Sequence, residues 1–197
     1  MNTHNFIHLR NYTQYSLSQG ALKINELVSH CIQNKVPAIG ISDKGNLFGS
    51  MEFSSECSKN GIQPIICCDV HIVENNFFPG SLLLIASNLK GYQNLSKLIS
   101  LSYLENEHNN KPWVSFQNLI DHREGIICLS GGIDGLLRSN YNQYGKDRLI
   151  EIERYISSIF NNNFFFEIQR TKKNDIDEYN DFLIDYSIEK KVPLVAT

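Results

Sequence analysis

Lys35-Val36-Pro37-Ala38-Ile39-Gly40-Ile41-Ser42 is the stretch that decides the fold: a polar helix end passes through a short Pro- or Gly-bearing entry, here Pro37, into a short apolar run. The same junction recurs at Asn60-Gly61-Ile62-Gln63-Pro64-Ile65-Ile66-Cys67, at Glu124-Gly125-Ile126-Ile127-Cys128-Leu129-Ser130 and at Lys191-Val192-Pro193-Leu194-Val195-Ala196-Thr197. Proline suits the first residue of a strand, because its missing N–H removes no interior ladder bond there. The repetition predicts α-then-β units. The runs that follow are short, apolar and rich in Ile and Val, as expected for strands of a parallel sheet buried on both faces. Amphipathic helices are predicted between them: Ile24, Leu27, Val28, Cys31 and Ile32 recur on one face of a 3.6-residue period, and so do Leu149, Ile152, Ile156 and Ile159, and Ile176, Tyr179, Leu183 and Tyr186. Further strands are predicted at Ile7 to Arg10, Leu82 to Ala86 and Phe164 to Ile168. Alternating β and α over this length predicts an α/β fold, either a wound sheet or a barrel.

With 197 residues the chain can bury a substantial core, and a single domain over 1–197 is expected. A hydrophobic content of 42% with 20% charged residues is that of an ordinary soluble protein, and no apolar run approaches the roughly 20 residues that cross a bilayer. The opening residues Asn2, His4, Asn5 and His8 lack a basic-then-apolar signal segment, so a cytoplasmic location is expected. Net charge is −3 and the basic residues are scattered, which disfavours direct DNA binding by this stretch. The five cysteines, Cys31, Cys57, Cys67, Cys68 and Cys128, lie in or beside apolar segments with no C-x-x-C pair, and read as reduced, buried thiols. Pro79-Gly80 and the polar stretch Glu105 to Lys111 read as loops, and Asn75-Asn76 and Asn161-Asn162-Asn163 as turns.

In parallel α/β folds, residues at the C-terminal ends of strands line the functional face. Here those positions are Arg10 to Tyr12, Ser42 to Lys44, Cys67 to Asp69 and Ser130 to Gly132. The ordered segments His8-Leu9-Arg10-Asn11-Tyr12-Thr13-Gln14-Tyr15-Ser16-Leu17, Ser42-Asp43-Lys44-Gly45-Asn46-Leu47-Phe48-Gly49, Gly61-Ile62-Gln63-Pro64-Ile65, Gly91-Tyr92-Gln93-Asn94-Leu95 and Leu129-Ser130-Gly131-Gly132 resemble the PHP (polymerase and histidinol phosphatase) domain that opens bacterial DNA polymerase III alpha subunits. The resemblance implies a distorted (β/α)7-type barrel, cut short near its last strand. Intact members resemble H-x-H-T on the first strand, T-D-H-G on the second and a carboxylate on the third, with later His, Cys and Asp-x-His ligands for a cluster of divalent metals.

By that resemblance, the family's histidine positions correspond to Arg10, Tyr12 and Lys44, and the later His and Cys positions to Ser81 and Gly132. Asp43 and Asp69 alone keep ligand-type side chains. Arg and Lys are protonated at neutral pH, offer only donors and repel a cation, so the hydrolytic reading fails on ligand count. No catalytic residue and no cofactor is expected for this stretch. Mg2+ belongs to the parent polymerase, whose carboxylates lie far along the chain. The resemblance implies support of the remaining alpha chain and docking of the proofreading exonuclease subunit, with DNA met only through the full-length polymerase. The alternative is a residual PHP-type phosphoesterase or 3′–5′ exonuclease that uses Zn2+ or Mn2+ at Asp43 and Asp69. If the two aspartates converge, Arg10 and Lys44 balance them in an ion-pair cluster, in which loss of one member costs about 3 to 5 kcal/mol. A solvated Lys44 at a loop tip is the other possibility.

Weaker signals have simpler readings. His8, Tyr15 and Ser16 could suggest hydroxyl and imidazole catalysis, but no carboxylate sits at a fixed spacing to orient His8. His71, His108 and His122 are expected in solvated loop or helix-end positions. Ser130-Gly131-Gly132 lacks the longer phosphate-binding fingerprint, and a tight strand-to-helix turn explains it as well. Phe164-Phe165-Phe166 has no interleaved cations, so a buried strand is expected rather than a base-stacking platform.

Overall fold

A computed structural model of the chain describes residues 6–105, 112–170 and 175–197, with backbone alone for 175–177. His108, the loop up to Lys111 and the Ile176 side chain lie outside the described residues. The fold is mixed α/β, and its contacts divide the chain into two compact units, Met1–Cys68 and Asp69–Thr197.

The first unit holds α1 (Ile24–Gln33), β1 (Ala38–Ile41), α2 (Ser50–Lys59) and the first part of β2 (Gln63–Ile72). β1 pairs in parallel with β2 in the register Ala38↔Gln63 to Ile41↔Ile66. The predicted face of α1 buries Ile24, Leu27, Val28 and Cys31 against Ile39, Ile41, Phe53, Cys57 and Ile62. Ile32, expected on the same face, is 49% exposed. The segment predicted as a strand at Ile7 to Arg10 is extended but forms no regular strand. It lies along β1, where the Gly40 N–H donates to His8 O and the Ser42 N–H to Asn11 O, both at 2.9 Å. The Asn11 amide donates to Gly40 O (2.9 Å) and His8 O (3.2 Å), and this side-chain bonding competes with a backbone ladder.

All four predicted junctions carry a left-handed residue between helix and strand: Lys35 (φ 54), Gly61 (φ 68), Gly125 (φ 72) and Lys191 (φ 58). After α1 and α2 the turn is the same. The Val36 N–H reaches Cys31 O and the Ile62 N–H reaches Cys57 O, while the preceding N–H groups bond Ile32 O and Ser58 O. This six-to-one and five-to-two pairing satisfies carbonyls that the helix end leaves open. Glycine reaches that conformation without strain and lysine does not. Lys35→Gly is therefore expected to stabilise the chain by about 0.5–1 kcal/mol in denaturant unfolding; a loss of stability would contradict this account of the junction.

The second unit continues β2 and adds β3 (Gly80–Ala86), α3 (Leu89–Leu104), α4 (Phe116–Asp121), β4 (Ile126–Leu129), α5 (Leu136–Tyr144), α6 (Lys146–Phe160), β5 (Phe164–Ile168), α7 (Asp175–Lys190) and β6 (Leu194–Ala196). Within this unit the hydrogen-bonded strand order follows chain order. β4, β5 and β6 run parallel, whereas β3 runs antiparallel to β4. This corrects the expectation of an all-parallel sheet. Residues 73–79 join β2 to β3 without a helix, and a parallel crossover takes a dozen residues or more. Asn140 anchors that connection: its Oδ1 accepts the Phe78 N–H (2.8 Å) and its Nδ2 donates to Phe78 O (2.7 Å) and Leu136 O (2.9 Å).

Leu82, Leu83, Leu84, Leu95, Leu98, Leu149, Ile152 and Ile156 are fully buried in this unit. Phe164 and Phe166 are buried in β5, as the buried-strand reading expected. The Gly91-Tyr92-Gln93-Asn94-Leu95 segment acquires a packing role. The Asn88 side chain caps α3 by accepting the Gly91 N–H (2.9 Å), and Asn94 Nδ2 donates to Glu124 O (2.8 Å). The first bond closes the start of α3, and the second holds that helix on the turn that enters β4. All five cysteines are buried thiols outside any disulfide. His71 lies inside β2 and is half-buried, which corrects its loop placement. His122 follows α4 as its C-cap and is also half-buried.

Candidate functional site

In the first unit, Asp43 stands two residues beyond β1 and is 2% exposed. Its Oδ1 accepts the Thr13 N–H (2.7 Å) and the Ser16 hydroxyl (2.6 Å), and its Oδ2 accepts the Thr13 hydroxyl (2.7 Å). Both carboxylate oxygens are thus engaged by the 13–16 loop. Ser16 Oγ also accepts the Lys44 N–H (3.2 Å). Asn46 Nδ2 donates to Tyr15 O and Lys44 O, each at 3.1 Å, and the Cys68 thiol donates to Asp43 O (3.2 Å). The two loops form one hydrogen-bonded body.

Arg10 and Lys44 meet at Tyr12. Arg10 Nη1 donates to Tyr12 Oη at 2.7 Å, and Lys44 Nζ lies 5.3 Å from the centroid of the Tyr12 ring. The negative face of the ring attracts the ammonium, and the phenol oxygen accepts from the guanidinium. Three positions that the family resemblance assigned to histidines are thereby tied to one another. Ser16 gives its hydroxyl to Asp43, and Tyr15 gives its own to Glu52 Oε2 (2.9 Å). That bond, and then the Glu52 charge, push the Tyr15 phenol pKa up. The His8 ring sits edge-on to Phe6 at 4.7 Å.

In the second unit, Asp69 is buried on β2, and Ser81 near the start of β3 is buried with its N–H donated to Asp134 O (2.9 Å). Gly131 adopts φ 83, and a Cβ there would meet Ser81 O at 2.3 Å, so the Ser130-Gly131-Gly132 turn is built on close backbone approach. At Gly132 the side-chain space is filled by Gln169, whose Oε1 lies 2.0 Å from where a Cβ would stand. Gln169 Oε1 accepts the Ile133 N–H (3.1 Å), and its Nε2 donates to Thr197 Oγ1 (3.2 Å). The Thr197 hydroxyl donates to Glu167 Oε1 (2.6 Å), and the Glu167 N–H donates to Ser130 Oγ (2.9 Å).

Side chains thus lace together the ends of β4, β5 and β6. Burial, and then the Glu167 charge, push the Cys128 thiol well up, so it holds its proton and is a poor ligand or nucleophile. Among the described residues, no group of three or more His, Cys, Asp or Glu side chains is placed to share a metal ion.

Sequence reasoning singled out Arg10, Tyr12, Asp43, Lys44, Asp69, Ser81 and Gly132, but missed Thr13, Glu167, Gln169 and Thr197. One signal was present. Glu167 and Gln169 alternate at the end of an apolar strand, which places two polar side chains on one face.

The family model described as PHP domain matches residues 8–171. The chain belongs to the PHP domain family. It is 35% identical to DNA polymerase III subunit alpha of Caulobacter vibrioides, across 98% of this chain and 17% of that protein, and 36% identical to the Rickettsia felis subunit, across 98% and 16%. The chain therefore spans about a sixth of the length of these relatives. Among solved structures it is similar to a protein from Bifidobacterium adolescentis assigned as a metal-dependent phosphoesterase, with TM-score 0.64, 10% identity, and coverage of 97% of this chain and 86% of that one. An amidohydrolase from Chromobacterium violaceum matches with TM-score 0.64, 12% identity and coverage of 96% and 85%. At these identities the structural matches speak to the fold alone. The fold is that of PHP-type proteins.

Proposed function

We propose that residues 1–197 form one PHP domain of a bacterial replicative DNA polymerase III alpha subunit, which supports the polymerase and docks its proofreading exonuclease without a metal of its own. The relatives supply the polymerase part of this reading, through identity along nearly the whole chain. The observation that carries the metal-free part is the convergence of Arg10 and Lys44 on Tyr12. A guanidinium and an ammonium donate but do not ligate, and a divalent cation beside them would be repelled. Asp43, the nearby carboxylate, already accepts bonds from Thr13 and Ser16 on both oxygens.

On this reading the domain performs no chemistry of its own, and the Mg2+ of polymerisation is held by carboxylates elsewhere in the longer polypeptide. The cytoplasm, where replication runs in bacteria, is its location. Elemental analysis of the full-length polymerase chain, purified without chelator, tests the proposal. Zinc and manganese are expected at background. About two or more equivalents per chain, the complement of a two-metal centre, would overturn it in favour of a residual phosphoesterase or 3′–5′ exonuclease using Asp43 and Asp69.

A further inference from the structure

In the second unit, α6 carries a solvent-open groove of about 590 Å³ lined by Asp147, Ile150, Glu151, Arg154, Tyr155 and Ser158. These positions recur at i, i+3, i+4, i+7, i+8 and i+11, so the groove follows one stripe of a single helix for about 17 Å. A second helix fills such a shape, whereas a compact ligand would be held from one side only. The walls are set before any partner arrives. The Tyr155 ring, 42% exposed, leans on Phe116 with centroids 4.8 Å apart, and Arg148 holds Glu151 through a 2.5 Å ion pair. Asp147 and Arg154 are both exposed, with the half-buried Ile150 between them. They stand two turns, about 10 Å, apart on the same stripe. Opposite charges placed evenly about an apolar residue make the stripe complementary to its own copy laid antiparallel. A two-fold axis beside Ile150 brings Asp147 of each chain to Arg154 of the other, and it sets the two helix dipoles head to tail. We propose that α6 is a self-docking surface through which two copies of this chain form an antiparallel, two-fold symmetric dimer, held by reciprocal Asp147–Arg154 pairs around Ile150.

One helix stripe buries less than the roughly 1,200 Å² of a standard interface, so the dimer is weak, with a Kd on the order of 10 µM. Sedimentation of the full-length polypeptide from about 1 to 100 µM is expected to show a monomer–dimer equilibrium that weakens as salt rises. Asp147→Arg and Arg154→Asp, each alone, set like charges face to face and are expected to weaken the dimer about tenfold or more. Mixed one to one, the two variant chains are complementary again, and they are expected to dimerise with the affinity of the unaltered chain. Thermal melting checks that both variants fold, as exposed substitutions on a helix surface should. A chain that stays monomeric at about 100 µM overturns the inference. A dimer indifferent to both substitutions overturns it too, and so does a mixture of the two folded variants that fails to recover. If hydrogen exchange in α6 slows only when purified exonuclease subunit is added, the groove belongs to that partner and the inference fails.

Discussion

Replacing Asp43 with alanine is expected to destabilise the chain by about 3–5 kcal/mol, the sum over several lost hydrogen bonds to a buried carboxylate. Three donors lose their acceptor at once: the Thr13 N–H, the Thr13 hydroxyl and the Ser16 hydroxyl. Thr13 and Ser16 are buried, so water does not readily replace the carboxylate. The 13–16 loop should come free of the 43–46 turn and become a site of proteolytic nicking. Thermal unfolding and limited proteolysis read both effects. Ser16→Ala should cost less in the Asp43 variant than in the unaltered chain, because the bond to the carboxylate is already gone and only the one from the Lys44 N–H remains to be lost.

Gly91→Ala is expected to cost a similar amount, about 3–5 kcal/mol, for a different reason. A Cβ at residue 91 would stand 1.8 Å from Gly125 O and 2.6 Å from Gly125 C, which are backbone atoms that cannot swing aside. Ser87 holds the same carbonyl through its N–H (2.9 Å) and its hydroxyl (2.8 Å), so the turn is pinned from the other side. Accommodation requires α3 to withdraw from the entry to β4, with loss of the Asn94 bond to Glu124 O. Gly61→Ala is the control. Gly61 also has a left-handed backbone, but nothing lies within 4 Å of its added Cβ, so conformational strain alone should cost about 1 kcal/mol. Equal shifts in melting temperature for the two variants would show that backbone contact is not what Gly91 serves.

Much of the secondary structure was legible because its signals are local. The 3.6-residue period of Ile24, Leu27, Val28 and Cys31 marks α1 without reference to any partner, and so does that of Leu149, Ile152 and Ile156 for α6. Pro37, Pro64 and Pro193 mark strand entries through the geometry of a single ring. Direction was less legible. β3 has the apolar composition of a parallel strand, yet it runs against β4, because direction depends on how the chain returns and not on what the strand is made of. The extended segment before Tyr12 lost its ladder to the Asn11 amide, a competition between side chain and backbone that no periodicity reports.

The candidate site divides in the same way. Charge and coordination chemistry are properties of residue types, so the sequence alone determined that a protonated Arg10 and a protonated Lys44 cannot ligate a metal. What Asp43 does in the fold depends on partners 30 and 27 residues away. Only the tertiary structure decided that Asp43 serves Thr13 and Ser16, that Arg10 takes the Tyr12 hydroxyl while Lys44 lies over its ring, and that Gln169 fills the space beside Gly132. A helix period is written in neighbours three and four apart, whereas a hydrogen bond between two loops exists only once β1 and the strand-like segment before Tyr12 have brought those loops together.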